Sequence, residues 1–123
     1  MGEKKAVLVV DDEEQFQMLM EDALGDDYTV LRAELIQDGY RLFCEHRDCV
    51  QAILMDGNMP LGPPEMRTTV DLVRRIRSEG FSGTIVAISS EEDLQKKLCE
   101  AGCNVTLTKP FRMEQLLSML GRV

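Results

Sequence analysis

Residues 6–14 read AVLVVDDEE. Five apolar residues, three of them valine, run without interruption and then stop at four consecutive acids. A strand with one wet face alternates apolar and polar residues. An unbroken apolar run is what a strand covered on both faces needs. The switch to acids marks where the chain leaves such a sheet.

Working outward, the same pattern recurs. The runs YTVLRA (28–33), VQAILM (50–55), TIVAIS (84–89) and NVTL (104–107) are short, rich in β-branched residues and bounded by polar or turn residues, so each reads as a strand. Helical periodicity fills the gaps. Phe16, Leu19, Met20 and Ala23 in 14–24 recur at i, i+3, i+4 and i+7, as do Leu94, Leu98 and Ala101 in 91–101, and Met113, Leu116, Leu117 and Leu120 in 112–121. Stretches 37–47 and 68–79 carry weaker versions. Ser90 to Asp93 has capping-box spacing, and Gly80 and Gly102 fall where helices should stop. The order βαβαβαβαβα predicts an α/β fold, a parallel sheet with helices on both faces. The segment MPLGPPEMR (59–67) is irregular: its three prolines and Gly62 bar a helix start before about residue 66 and predict a long, stiff loop.

Composition narrows the function. At 123 residues the chain is sized for one domain, 1–123, with a core that needs no staples. Its net charge of −8 argues against direct nucleic-acid binding, which requires clustered Lys and Arg. No apolar run approaches the ~20 residues of a membrane span. The short apolar run near the N-terminus ends in acids rather than a cleavage site, so a cytoplasmic location is expected. The four cysteines, Cys44, Cys49, Cys99 and Cys103, then read as reduced thiols, Cys99 and Cys103 as buried ones, and with His46 as the one histidine they match no zinc pattern.

In open α/β sheets ligands bind at the carboxyl ends of the strands. Strand 1 ends at Asp11 and Asp12, strand 3 at Asp56, strand 4 at Ser89, and strand 5 at Thr108 and Lys109. If strands 1 and 3 are neighbours, the three carboxylates start within about 5–10 Å of one another. Carboxylates that close resist joint ionisation, and a divalent cation resolves the conflict. Oxygen-only ligands favour Mg2+, with Mn2+ an acceptable substitute. Lys109 supplies a point charge beside an anion and Ser89 a hydroxyl donor. These are the parts for phosphoryl transfer onto a carboxylate. Taken singly, each residue has a plainer role as a cap, turn or surface charge; the joint arrangement is what carries the reading.

VLVVDDE (7–13), ILMDGNMP (53–60), IVAIS (85–89) and LTKPF (107–111) together resemble the receiver domain of two-component response regulators, CheY-like proteins, over the whole chain. That resemblance implies a doubly wound, five-stranded flavodoxin-like (βα)5 fold with strand order 2-1-3-4-5. It implies Asp56 as phosphoacceptor for a sensor histidine kinase or histidine phosphotransfer protein. Asp12 is then the direct Mg2+ ligand, Asp11 a ligand through water, and the Asn58 backbone carbonyl a further ligand. Ser89 matches the switch hydroxyl and Lys109 the phosphoryl-stabilising lysine, whose bond to Pro110 is cis in relatives. Asn58 and Glu91 sit where relatives tune dephosphorylation. The face 91–121 is expected to meet an output domain or partner. Such a domain assists its own phosphorylation and dephosphorylation and is otherwise no enzyme.

Two features depart from the family pattern. Thr106 stands where relatives carry an aromatic switch, and the loop 59–67 is about five residues longer than usual, placed to shield the phosphoacceptor or meet a partner. Thr106 lends weight to a phosphorylation-independent adaptor. A haloacid-dehalogenase-type phosphatase would need acids spaced as DxD, whereas Asp11 and Asp12 are adjacent. Met18 and Met119 read as core or as exposed partner contacts. Dimerisation, the cognate kinase, the output, and whether the chain stands alone or belongs to a larger regulator or hybrid kinase are left open by the residues.

Overall fold

The computed structural model describes residues 5–120. Within them β1 (Ala6–Val10), α1 (Glu14–Leu24), β2 (Thr29–Ala33), α2 (Ile36–His46), β3 (Val50–Asp56), α3 (Thr69–Ser78), β4 (Thr84–Ser89), α4 (Glu92–Ala101), β5 (Val105–Thr108) and α5 (Met113–Met119) alternate along the chain. The strands form one parallel sheet in the order β2-β1-β3-β4-β5, as the resemblance implied. The expected extension of the last helix to residue 121 lies outside the described residues.

β1 is buried along its whole length because both faces are covered. Its even-numbered residues, Leu8 and Val10, join Ile53, Met55, Ile85 and Ala87 beneath α2, α3 and α4. Its odd-numbered ones, Val7 and Val9, join Leu54, Val86, Ile88 and Leu107 beneath α1 and α5. The period-2 alternation of a strand thus feeds two cores from one apolar run.

Register places the site. Val10 pairs with Met55, so Asp11 and Asp56 follow paired residues at the ends of adjacent strands. Asp56 pairs with Ile88, and Ser89 with Thr108, so Ser89 and Lys109 complete the row.

Several local expectations need correction. Leu19 is 50% exposed, and the buried stripe of α1 is Gln17, Met20 and Leu24. Gln17 displaces Leu19 because its amide meets three backbone carbonyls. Ser90 does not cap α4: Glu91 holds the N-cap position, and its N–H donates to Ser89 Oγ at 2.9 Å. A capping box does form at the start of α3, where it joins Thr68 and Asp71. Gly80 and Gly102 follow helix ends with φ of 97° and 141°, a region that suits glycine. Cys99 is exposed, not buried, whereas burial pushes the Cys103 thiol up to about 12. Met18 is exposed; Met119 packs partly against the α1–α5 core. The 59–67 segment folds on itself, Gly62 N–H donating to the Arg67 carbonyl and Met66 N–H to that of Pro63. Met66 is buried in the core that holds Ile36, so the loop anchors against α2. Among the described residues no helix is long and apolar enough to cross a membrane.

Candidate functional site

Asp11, Asp12 and Asp56 each bring a carboxylate oxygen to within 4.8 Å of the others. Asp11 and Asp56 are buried, at 1% and 6% exposure, while Asp12 is exposed. The chain turns sharply after both strands. Glu13 N–H donates to Asp11 Oδ1 at 2.8 Å, and Asn58 N–H donates to Asp56 Oδ1 at 3.0 Å. Each turn therefore satisfies one oxygen of its aspartate and leaves the other facing the Lys109 ammonium.

Lys109 enters from β5. Its ammonium stands 3.3 Å from Asp11 Oδ2, 3.6 Å from Glu13 Oε1 and 3.7 Å from Asp56 Oδ2. It also lies over the Phe16 ring, 5.0 Å from the centroid. The Lys109–Pro110 peptide is cis. Asp12, Glu13, Asp56, Asn58, Ser89, Ser90 and Lys109 line one cleft of about 320 Å3. The Asn58 side-chain amide donates to Glu91 Oε2 at 3.1 Å, joining the β3–α3 turn to the start of α4.

The electrostatics follow from crowding and burial. Burial raises the Asp56 carboxyl to about 6; the Asn58 N–H opposes this, the Asp11 charge adds to it, and Lys109 works against it. Burial likewise raises Asp11, against the pull of the Glu13 N–H and Lys109. For Lys109, burial works against the charged form, but Asp56 and Asp11 outweigh it and the ammonium is held above its ordinary range. Two buried carboxylates share one ammonium, so negative charge is in excess. An all-oxygen donor set with that excess fits a hard divalent cation such as Mg2+.

Other members of the row were not legible beforehand. Glu13, one of the four acids that follow the first strand, lines the cleft and meets Lys109. Gln17 is fully buried, and its amide donates to the carbonyls of Val9 (2.9 Å), Asp11 (2.9 Å) and Ala33 (3.2 Å), pinning the turn that carries the acidic pair. A polar residue inside an apolar helical stripe was the available signal. Thr106 is exposed on β5, opposite Ala87. Among residues 59–67, none lines this cleft.

Residues 7–121 match the family model of the response regulator receiver domain. The hydrogenase transcriptional regulatory protein HoxA of Bradyrhizobium diazoefficiens is 31% identical over 120 residues, 95% of this chain and 23% of that protein. The chain thus spans less than a quarter of that relative's length. The chemotaxis protein CheY4 of Vibrio cholerae is 26% identical with a TM-score of 0.81, covering 98% of this chain and 99% of that one. The receiver domain of Saccharomyces cerevisiae Ssk1, solved with the histidine phosphotransfer protein Ypd1, shares the fold at 23% identity and a TM-score of 0.77, over 95% of this chain and 86% of that one. With five parallel strands in the order 2-1-3-4-5 and a family match over all but the first six and last two residues, the chain belongs to the response regulator receiver domains of two-component signalling.

Proposed function

We propose that the chain, as a single domain over 1–123, is a phosphorylation-controlled switch whose phosphoacceptor is Asp56 and whose chemistry requires Mg2+. The observation that carries this reading is the convergence of three carboxylates within 4.8 Å beside the Lys109 ammonium. Asp56 attacks phosphorus through the oxygen that the Asn58 N–H leaves free. The phosphorus–nitrogen bond of a phosphohistidine donor breaks with its electron pair going to the ring nitrogen, an acyl phosphate forms, and the imidazole leaves neutral because its other ring nitrogen already carries a proton. Asp11, Asp12, Asp56 and the Asn58 carbonyl are the groups to hold Mg2+, which when bound offsets charge on the carboxylates and the transferring group. Lys109 supplies a fixed positive charge to phosphoryl oxygens, and the Ser89 hydroxyl a hydrogen bond.

The donor class is a sensor histidine kinase or a histidine phosphotransfer protein. The pairing of the yeast receiver domain with Ypd1 supports that class. The readout passes through the face formed by residues 91–121 to an output domain, a protein partner or a second copy. Asn58 and Glu91, bonded across the cleft wall, set the lifetime of the acyl phosphate by controlling access of water.

Incubation with Mg2+ and a small phosphodonor tests the reading by intact mass. A gain of one phosphoryl group, abolished in Asp56→Asn, is the expected result. Incorporation that survives the substitution displaces the site. No incorporation from any donor favours a phosphorylation-independent adaptor, the reading to which Thr106 lends weight.

A further inference from the structure

Ser89 addresses α4 twice. Its Oγ accepts the Glu91 N–H at 2.9 Å, and its carbonyl accepts the Gln95 side-chain amide at 2.9 Å. The same amide nitrogen donates to Thr108 Oγ1 at 3.0 Å, so both of its hydrogens are committed. The Ser89 carbonyl also accepts the backbone N–H of Lys109 at 3.1 Å. One half-buried glutamine therefore joins α4 to the two strand ends that carry the cleft's hydroxyl and its ammonium.

The same end of α4 is also tied to the β3–α3 turn by the Asn58–Glu91 bond, and Leu94 sits close against Gly57. Leu98 is the helix's fully buried residue, Leu94 and Ala101 are partly covered, and its N-cap has no side-chain cap. On β5, Thr106 offers a short exposed side chain. α4 is packed against α3, β4 and β5, and Gln95 is the side chain that ties it to both of the strand ends bordering the cleft.

We propose that Gln95 is the residue through which the state of the Asp56 cleft reaches α4; this rests on the phosphoacceptor reading above. A phosphoryl group adds negative charge and strong acceptor oxygens to the cleft that Ser89 lines. The Ser89 hydroxyl accepts from Glu91 and still has a proton to donate. Turning to give it to the phosphoryl group shifts the end of β4, and the Ser89 carbonyl leaves the reach of Gln95. The first turns of α4 then loosen. Because the tie belongs to the unphosphorylated state, cutting it must also favour occupation of the cleft, by reciprocity of coupling.

The test uses the whole chain with Mg2+ and beryllofluoride as the phosphoryl mimic, reading ligand affinity and amide hydrogen exchange across residues 92–98. In the wild type the mimic is expected to speed exchange there. In Gln95→Leu, exchange is expected to be fast without ligand and to change little on binding, with beryllofluoride bound about 3- to 10-fold more tightly, the span of one neutral hydrogen bond. Thr108→Val, which leaves the bond to Ser89, should move both readouts the same way by less. Wild-type exchange and affinity in both variants, or weaker binding in Gln95→Leu, overturns the proposal. A wild-type protein that binds no beryllofluoride overturns the phosphoacceptor reading, and this proposal falls with it; normal wild-type binding with an unresponsive Gln95→Leu overturns this proposal alone.

Discussion

Lys109 Nζ lies 3.3 Å from Asp11 Oδ2 and 3.7 Å from Asp56 Oδ2, so one ammonium answers two buried carboxylates from neighbouring strands. Its position between them makes it both a structural counter-charge and a rival of any cation the acids bind.

Replacement of Lys109 by Met separates those roles. Two buried carboxylates are left facing each other, and stability at pH 7 is expected to fall by about 1–2 kcal/mol, less than for a fully buried pair because the ammonium is partly solvated. Urea denaturation measures this. Millimolar Mg2+ should narrow the difference, since the cation takes over the screening. Phosphoryl incorporation should fall by roughly tenfold or more, as one positioned charge is lost. Incorporation at the wild-type rate would remove Lys109 from the chemistry.

Asp56 makes stability depend on pH with a defined sign. Its carboxyl is raised to about 6 in the native state, while an unfolded aspartate keeps a value near 3.8. Between these values the native state holds more protons, so stability falls as pH rises through the window. Asp56→Asn lacks this loss. The two proteins are expected to differ little below pH 4, with the variant more stable above pH 6. One unit is worth about 1.4 kcal/mol, and screening at the cleft mouth leaves a gap of about 1–2 kcal/mol. Urea midpoints across pH 4–8 check it; a gap that opens on acidification instead would contradict the burial of Asp56.

A bound cation should stabilise the native state in proportion to its occupancy. At tenfold excess over its dissociation constant, Mg2+ is expected to add about 1.4 kcal/mol in a chemical melt, and chelation should reverse the gain. In Asp12→Asn the increment should vanish while stability without Mg2+ changes little, because Asp12 is exposed. An equal Mg2+ effect in that variant would place the ion elsewhere.

Arg77 braces the opposite end of the molecule. Its Nε donates to the Gly102 carbonyl at 2.8 Å, and a second guanidinium nitrogen donates to Phe81 and Gly83, both at 2.9 Å. Arg77→Met should cost about 1–3 kcal/mol by stranding these partly covered carbonyls. Mg2+ binding, with its ligands at the other edge of the sheet, should be unchanged. Thermal denaturation and titration calorimetry together separate the two effects.

Element order and strand identity were readable because burial on both faces writes itself into the chain as unbroken apolar runs such as AVLVV. The acids after strands 1 and 3 were readable for the same reason, since the sudden change in polarity marks a strand end. Helix faces were less legible. Gln17 took the place expected of Leu19 because its amide donates to three carbonyls at the ends of β1 and β2, and periodicity carries no information about where distant carbonyls point. Ser90 likewise looked like a cap, yet the preceding Ser89 supplies the oxygen.

The sequence by itself determined an alternating α/β chain whose strands deliver acids, a hydroxyl and an ammonium to one edge of the sheet. Tertiary structure alone decided that Val10 pairs with Met55 and Ser89 with Thr108, which turns a list of edge residues into a cleft. It also decided that Glu13 faces Lys109, and that Gln95 bridges Ser89 and Thr108. The physical reason is range. Apolar period and turn chemistry are local properties that each segment carries alone, whereas register, burial and the sharing of charge arise only when segments distant in the chain pack together.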